Sequence, residues 1–435
     1  MKLKVTIATL IILAGLLISG PISAQTTDAS TGFTPYSIFG FGDIAREGTV
    51  YNLSMGGIGV GDRNVRFINL LNPAAVTARE SKSFMMDFGL ESRNVYYAAD
   101  SQDGRSTSAN NTFNMHHMVM SFPIAKHSAF MIGLQPYSSV GYKFRSMETD
   151  DVLLSEAGDI IYTKEGQGGL SQAFIGAGVT LFDRLHLGAE GLYYFGNIMH
   201  YSSAAFKTSS AYRSINSGWD YYLTGFSGKL GIQYEQPLGR VKATVGATWT
   251  IPTIISGHVD RFAYGVNASA TDTIVNRTEP GISYDIPSQW SAGITLKDAD
   301  HWMVGFDYQQ QDWSATNFGA RGGVDFAPCK MQAFRLGFEW TPDRYDIRYY
   351  HRRISYRGGL YHEKSYYTFN GRQVNATGIT FGVSLPVFRY YNSISVGVDL
   401  GQRGTVSDGL IRERYALLYI SFSLHDIWFL KNLYE

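Results

Sequence analysis

The 435 residues carry 37 lysines and arginines against 37 aspartates and glutamates, a balance with no basic excess to attract nucleic acid. A single cysteine, Cys329, excludes an intramolecular disulfide and a multi-thiolate metal site. Charged residues are only 17% of the chain while Gly 47, Tyr 29 and Phe 26 are high counts. That mixture departs from soluble domains and fits a transmembrane β-barrel.

Met1, Lys2 and Lys4, the apolar run from Val5 to Ile18, and Ile22-Ser23-Ala24 before Gln25 have the three parts of a secretory signal peptide, residues 1–24. The run is too short to cross a bilayer as a helix, and Gln25 rather than a cysteine at the new N-terminus argues against a lipoprotein. No later run approaches the roughly 18 apolar residues a membrane helix needs.

Residues 25–82 show little periodicity. Their centre, Ser54 to Ala75, holds Gly56, Gly57, Gly59 and Gly61, followed by a mostly polar run, Phe67 to Leu71, and Asn72-Pro73-Ala74. So many glycines build neither a stable helix nor an ordinary strand, because glycine loses most backbone entropy and supplies nothing to pack. They suit a segment threaded through a tight space, and the strands that follow make the inside of a barrel the natural space. Gly57-Ile58-Gly59-Val60-Gly61 has the wrong spacing, and no βαβ unit around it, for a nucleotide loop.

From Ser83 the period becomes two. Val241, Ala243, Val245, Ala247 and Trp249 alternate with Lys242, Thr244, Gly246, Thr248 and Thr250, one apolar face and one wet face. Such segments predict about 14 strands, an even number suited to a single-chain outer-membrane barrel. They fall near 83–97, 111–122, 128–146, 167–182, 185–202, 217–235, 240–262, 283–297, 301–312, 329–341, 344–358, 373–386, 392–404 and 411–424. Short connections alternate with long polar ones, the pattern of periplasmic turns and extracellular loops. The expected division is hatch 25–82, barrel 83–424 and an aromatic tail 425–435 containing Trp428 and Phe429.

The glycine-rich stretch and Asn72-Pro73-Ala74, in that order and just before the first strand, resemble the N-terminal hatch of the long-chain fatty acid transporter (FadL) family. Gly401-Gln402-Arg403-Gly404-Thr405 and the tail look like outer-membrane barrels of the Bacteroidota. The first resemblance implies an all-β transmembrane antiparallel barrel with an N-terminal plug in a Gram-negative outer membrane. It also implies passive uptake of hydrophobic or amphipathic small molecules, released near the hatch or through a gap in the wall. Some barrels similar to this family instead serve as subunits or shuttles of outer-membrane secretion and assembly machines. A transporter needs an apolar pocket continuous with the hatch. A machine subunit should show a filled lumen and an apolar or aromatic surface beyond the membrane band.

Nothing in the sequence looks catalytic, and no cofactor is expected: HExxH, CxxC and GxSxG are missing. Alternation would send the adjacent His116 and His117 to opposite faces, away from any shared metal. Charges on the wet faces, such as Asp87, Arg93, Lys229, Asp307, Arg335, Glu339 and Asp399, come in both signs and are expected to pair with one another and with the plug. In the predicted strand 344–358, Arg348, Tyr350 and Arg352 share one face. If Ile347 and Tyr349 met lipid, that face would turn inward, where two arginines could hold a ligand carboxylate. The expected partners are therefore outer-membrane lipid, a hydrophobic small molecule, or other outer-membrane machinery.

Overall fold

The computed structural model describes residues 32–427 apart from 81, 102–103, 208–211, 267–270, 299–300, 317–324, 388–391 and 408. The expected signal peptide and residues 428–435 of the tail lie outside the described residues, while His425 to Ile427 extend the last strand.

The wall is a closed antiparallel barrel of 14 strands. They are β1 Ser83–Ser101, β2 Gly104–Ala125, β3 Ser128–Met147, β4 Ile160–Leu181, β5 Leu185–Phe206 and β6 Ser214–Leu238. β7 runs in two pieces, Val241–Thr250 and Thr253–Val266, and β8 likewise in Thr271–Ile286 and Gln289–Asp298. Then come β9 Trp302–Asp312, β10 in the pieces Phe326–Pro328 and Lys330–Trp340, β11 Ser355–Phe369, β12 Arg372–Pro386, β13 Ser393–Arg403 and β14 Arg412–Ile427. β14 pairs with β1 from Ile427↔Ser83 to Arg412↔Ala98, so the ends of the sheet meet. The breaks in β7 and β8 lie side by side, between Thr250↔Gln289 and Thr253↔Ile286. Pro252 and Pro287 sit in them, and neither has an N–H to give to the ladder.

One predicted strand is misplaced. The eleventh begins at Ser355 rather than 344, and residues 341–354 form a connection containing a 3-10 turn, Tyr350–Arg353. The Asp346 carboxylate accepts the backbone N–H groups of Arg348 and Tyr349, both at 2.7 Å, and Asp343 accepts that of Tyr345 at 3.1 Å. These side-chain turns capture the donors that a ladder would need, so the apparent alternation of Ile347 and Tyr349 never becomes a strand. The polar stretch 359–372, expected as a long loop, is instead a hairpin whose strands run to Phe369 and from Arg372.

The outer face is apolar around the wall. Val245, Ile294, Phe306, Leu336, Leu360, Ile379 and Leu400 are successive cross-strand partners from β7 to β13, and all are exposed. Such a row is the lipid-facing band of a membrane barrel. One residue along, the inner row reads Thr295, Gly305, Gly337, Gly359, Thr380 and Asp399.

Against that inner row lies the N-terminal segment. It has a 3-10 turn at Pro35–Ile38, a two-residue strand Asp43–Ile44, a single helical turn Val50–Leu53, and a 3-10 turn Pro73–Thr77. Gly56 and Gly57 adopt φ of +69° and +84°, which only glycine takes without strain. The approach is backbone to backbone: a Cβ on Gly337 would stand 2.4 Å from the Met55 carbonyl oxygen, and one on Gly359 2.2 Å from the Gly56 nitrogen. In the other direction, a Cβ on Gly56 would meet the Leu336 and Leu360 carbonyls at 2.8 Å.

The two histidines also depart from simple alternation. A bulge in β2, opposite Gly89 and Leu90, turns both His116 and His117 into the buried interior with their Nδ1 atoms 3.0 Å apart. The extra residue shifts the period by one, so neighbours share a face. Among the described residues no group of three or more His, Cys, Asp or Glu side chains could hold a metal ion.

Gly337→Val should unseat the inner segment, with an overpacking cost of about 1–3 kcal/mol. The expected outcome is a lower temperature for the heat-modifiable gel shift, with Leu336→Ile on the outer face leaving it unchanged.

Candidate functional site: the filled lumen and the wall seam

The inner segment is held by groups that the wall projects inward. Asp307 on β9 accepts the backbone N–H groups of Gly59 and Val60 through one carboxylate oxygen, at 2.6 and 2.8 Å. Thr380 accepts the Gly56 N–H at 2.7 Å. Asn72 donates to the carbonyls of Val60 at 2.9 Å and Ile232 at 3.1 Å, while its Oδ1 accepts the Ala74 N–H at 3.0 Å. Pro73 and Ala74 are buried against β5 and β6, where a Cβ on Gly188 would meet the Ala74 nitrogen at 2.3 Å. The sequence-predicted residues Gly56, Gly57, Gly59, Gly61, Asn72, Pro73 and Ala74 thus come together as one joint between segment and wall.

Charges close the space above them. Arg46 reaches Asp399 at 2.6 Å and Glu363 at 3.2 Å and lies over the Tyr361 ring. Asp43 sits between Arg403 at 2.6 Å and Arg93 at 3.1 Å. Burial would push its carboxyl up, but the two guanidiniums hold it down at about 2. Lys229 pairs with Glu47 at 2.8 Å, Arg335 with Glu363 at 2.9 Å, and Arg357 with Glu339 at 2.7 Å. Beyond this network the lumen is an aromatic core. Phe39 stacks on Phe326 at 4.5 Å, Tyr36 meets Phe369 at 5.4 Å, and Trp313, fully buried, contacts Tyr366 at 5.0 Å.

Arg348, Tyr350 and Arg352 are not in the lumen. They are exposed on the 341–354 connection, with Arg352 paired to Asp346 at 3.2 Å and the Tyr350 hydroxyl donating to the Pro386 carbonyl at 3.0 Å. The misplaced strand placed them on an inward face that does not exist there.

The wall has a seam that sequence reading missed. β2 and β3 are paired from Ala125↔Ser128 only to Met118↔Leu134. Beyond that point β3 continues with β4 to Met147↔Ile161, and β2 with β1 to Gly104. Three local features coincide with the split. The β2 bulge lies at His116, Pro136 lacks an N–H, and a register shift falls between Pro136 and Ser138. Ser138 and Ser139 take Asp43–Ile44 of the inner segment as their partner instead. A proline within a predicted strand was the available signal.

Unpaired backbone at membrane depth is tolerated where it lines a cavity. Here the seam borders one of about 480 Å³, lined by Arg46, Glu91, Arg93, Gln135, Arg403 and Glu413 among others. Its lining is mixed, for these charged and polar groups stand beside Ile44, Val95, Met115, Leu134, Leu170 and Phe195. On the outer face, beside the last β2–β3 pair, is a separate apolar groove of about 620 Å³ formed by residues including Met118, Ile132, Leu134, Ile175, Tyr193 and Phe226.

A closed barrel whose lumen holds the chain's own N-terminal segment, and whose β2–β3 ladder stops part-way, defines a plugged β-barrel. The chain belongs to the BamG family, whose family model matches residues 6–435. No curated protein matches it. Among solved structures it is similar to the Pseudomonas putida toluene transporter TodX, with 13% identity over 89% of this chain and 100% of that one and a TM-score of 0.58. It is also similar to the Ralstonia pickettii toluene transporter TbuX, with 13% identity, 86% and 97% coverage and a TM-score of 0.55. A Pseudomonas aeruginosa FadL homologue gives 12% identity, 89% and 100% coverage and 0.54. At such identities the likeness carries the fold.

Cysteine pairs test the seam in a Cys329→Ser background. Met118→Cys with Leu134→Cys should cross-link readily under mild oxidation, because directly paired positions meet the geometry of a disulfide. Asn114→Cys with Ser138→Cys, four residues further along each strand, should stay reduced on a non-reducing gel.

Proposed function

We propose that this chain is a non-conducting barrel of a Gram-negative outer membrane, of Bacteroidota type, that works through its surfaces as a subunit of machinery that secretes or assembles outer-membrane proteins. The observation that carries this reading is how far the lumen is occupied by the chain's own residues. The plug joins the wall backbone to backbone, the charges above it are paired, and the remaining interior is packed aromatic side chains. The cavity beside the seam has guanidiniums and carboxylates among its apolar lining, and a hydrocarbon filling it would strip those charges of water with no hydrogen bond in return. With its short turns facing the periplasm, the barrel presents one long projection on that side, residues 341–354, with Ile347 90% exposed beside Tyr345, Tyr349 and Tyr350. An apolar and aromatic surface beyond the membrane band suits a protein partner.

A second reading, passive uptake of hydrophobic or amphipathic molecules, is favoured by the seam and the apolar groove next to it. In that reading the joint at Asn72-Pro73-Ala74 moves to admit a ligand. Arg348, Tyr350 and Arg352 would meet it only at the turn-end surface.

Depletion of the chain in its native host separates the two. The expected outcome is loss of other outer-membrane or secreted proteins from the membrane fraction, measured by quantitative proteomics, with unchanged uptake of labelled monoaromatics and fatty acids. Normal membrane protein levels with several-fold slower uptake would make the barrel a transporter.

A further inference from the structure

The cavity beside the seam adjoins the apolar groove on the lipid-facing wall. Leu134 lines both, and Phe195 in the lining of the one stacks at 5.5 Å on Tyr193 in the other. The groove lies on the turn side of the cavity, formed by the paired stretch of β2 and β3 and by β4 to β6. A chamber of about 480 Å³ holding charged groups, next to an apolar trough of about 620 Å³, has the two-part character of an amphiphile, and each part is of the size that small-molecule sites use.

The charges in the chamber are unevenly matched. Arg46, Arg93 and Arg403 line it with Asp43, Glu91, Glu363 and Glu413. Asp43 is held by Arg403 and Arg93, Glu413 by Arg403 at 2.7 Å, and Glu363 by Arg46 and Arg335. Glu91 is the lining carboxylate left over. Arg93 is turned to Asp43, and its Nε stands 3.6 Å from the Glu91 carboxylate, beyond hydrogen-bond reach. Although Glu91 lies inside the barrel, 19% of its side chain is accessible in the cavity it lines, and Arg93 keeps 24%.

A second acceptor stands close by. Tyr419 on β14 is the direct cross-strand partner of Glu91, and its ring meets the His116 ring edge-on at 5.6 Å. All three residues line the chamber. His117 sets the orientation of His116. Asp87 accepts the Ser423 hydroxyl and lies 2.5 Å from His117 Nε2, so a neutral His117 donates there and accepts at Nδ1 from His116 Nδ1, 3.0 Å away. His116 Nε2 is then the nitrogen that carries a lone pair.

A carboxylate with no cation of its own, an imidazole lone pair and a tyrosine ring together suit a ligand group that is positive and donates hydrogen bonds. We propose that the seam binds a zwitterionic lipid with a primary amine. Glu91 and His116 hold its ammonium, Arg93 meets its anionic oxygens, and an acyl chain lies along the outer groove. With the groove on the turn side of the chamber, the lipid stands with its head away from the turns. It covers the gap between β2 and β3 from the membrane side, whether or not the barrel conducts.

The test uses the full mature chain purified in a maltoside and titrated by calorimetry with dihexanoyl phosphatidylethanolamine. Dihexanoyl phosphatidylglycerol, which has no ammonium, and dihexanoyl phosphatidylcholine, whose ammonium has no N–H, are titrated in parallel. The expected result is saturable binding of the ethanolamine lipid, about ten-fold or more tighter than either comparator, and weakened by a similar factor in Glu91→Gln and in His116→Phe. The heat-modifiable gel shift verifies that each variant is folded. Ile132→Trp, which fills the groove on the outer face away from the plug, keeps the test open should the buried substitutions prevent assembly, and should weaken binding several-fold. No saturable binding, a comparator that binds as tightly as the ethanolamine lipid, or unchanged affinity in every folded variant overturns the proposal.

Discussion

The structure depends on a contact between two stretches of bare backbone. Where residues 55–60 of the inner segment press on β7 to β11, the wall has Gly246, Gly293, Gly305, Gly337 and Gly359, and the segment has glycines of its own. Side chains on either partner would hold the two chains apart, and the donors and acceptors of the segment could then no longer reach Asp307, Thr380 and Gln233. Strand interiors usually exclude glycine because it weakens them. Here the closed ladder on both sides of each strand keeps the strand, and the missing side chain becomes the seat for the plug.

The ion pairs act on a different aspect. Taking charges such as Arg357 and Glu339 out of water costs about as much as their attraction returns, so buried pairs are weak evidence for stability. They are effective as registers. Each is satisfied in one placement of the segment only: Asp43 must lie between Arg93 and Arg403, Arg46 beneath Asp399, and Glu47 at Lys229. A shift of the segment by one residue would leave several buried charges without partners, which costs several kcal/mol per ion.

Much of this was legible in the amino-acid sequence. Period-two alternation located thirteen of the wall strands to within several residues at most ends, because a wall between lipid and a polar interior demands it at every step. Gly246 stood on the wet face of its predicted strand, and the structure turns that face onto the segment. The eleventh strand was misread because Ile347 and Tyr349 mimic alternation while Asp343 and Asp346 compete for the same backbone donors. With that strand went the inward placement of Arg348, Tyr350 and Arg352. The seam was not legible for a related reason. Whether two neighbouring strands bond is decided by backbone groups, and only Pro136 and the paired histidines mark the place where they stop.

The partnership between Asp43–Ile44 and Ser138–Ser139 bears on the order of events during biogenesis. The segment is synthesised before any wall strand, yet it completes β3 from inside, and the pairing that closes the ring, β14 with β1, joins residues more than three hundred positions apart. After that closure the segment would have to reach its glycine seats and its partner on β3 through one end of the ring. A sheet that wraps around the segment while its two ends are still open would meet those seats strand by strand, with the plug as the surface on which the barrel is wound.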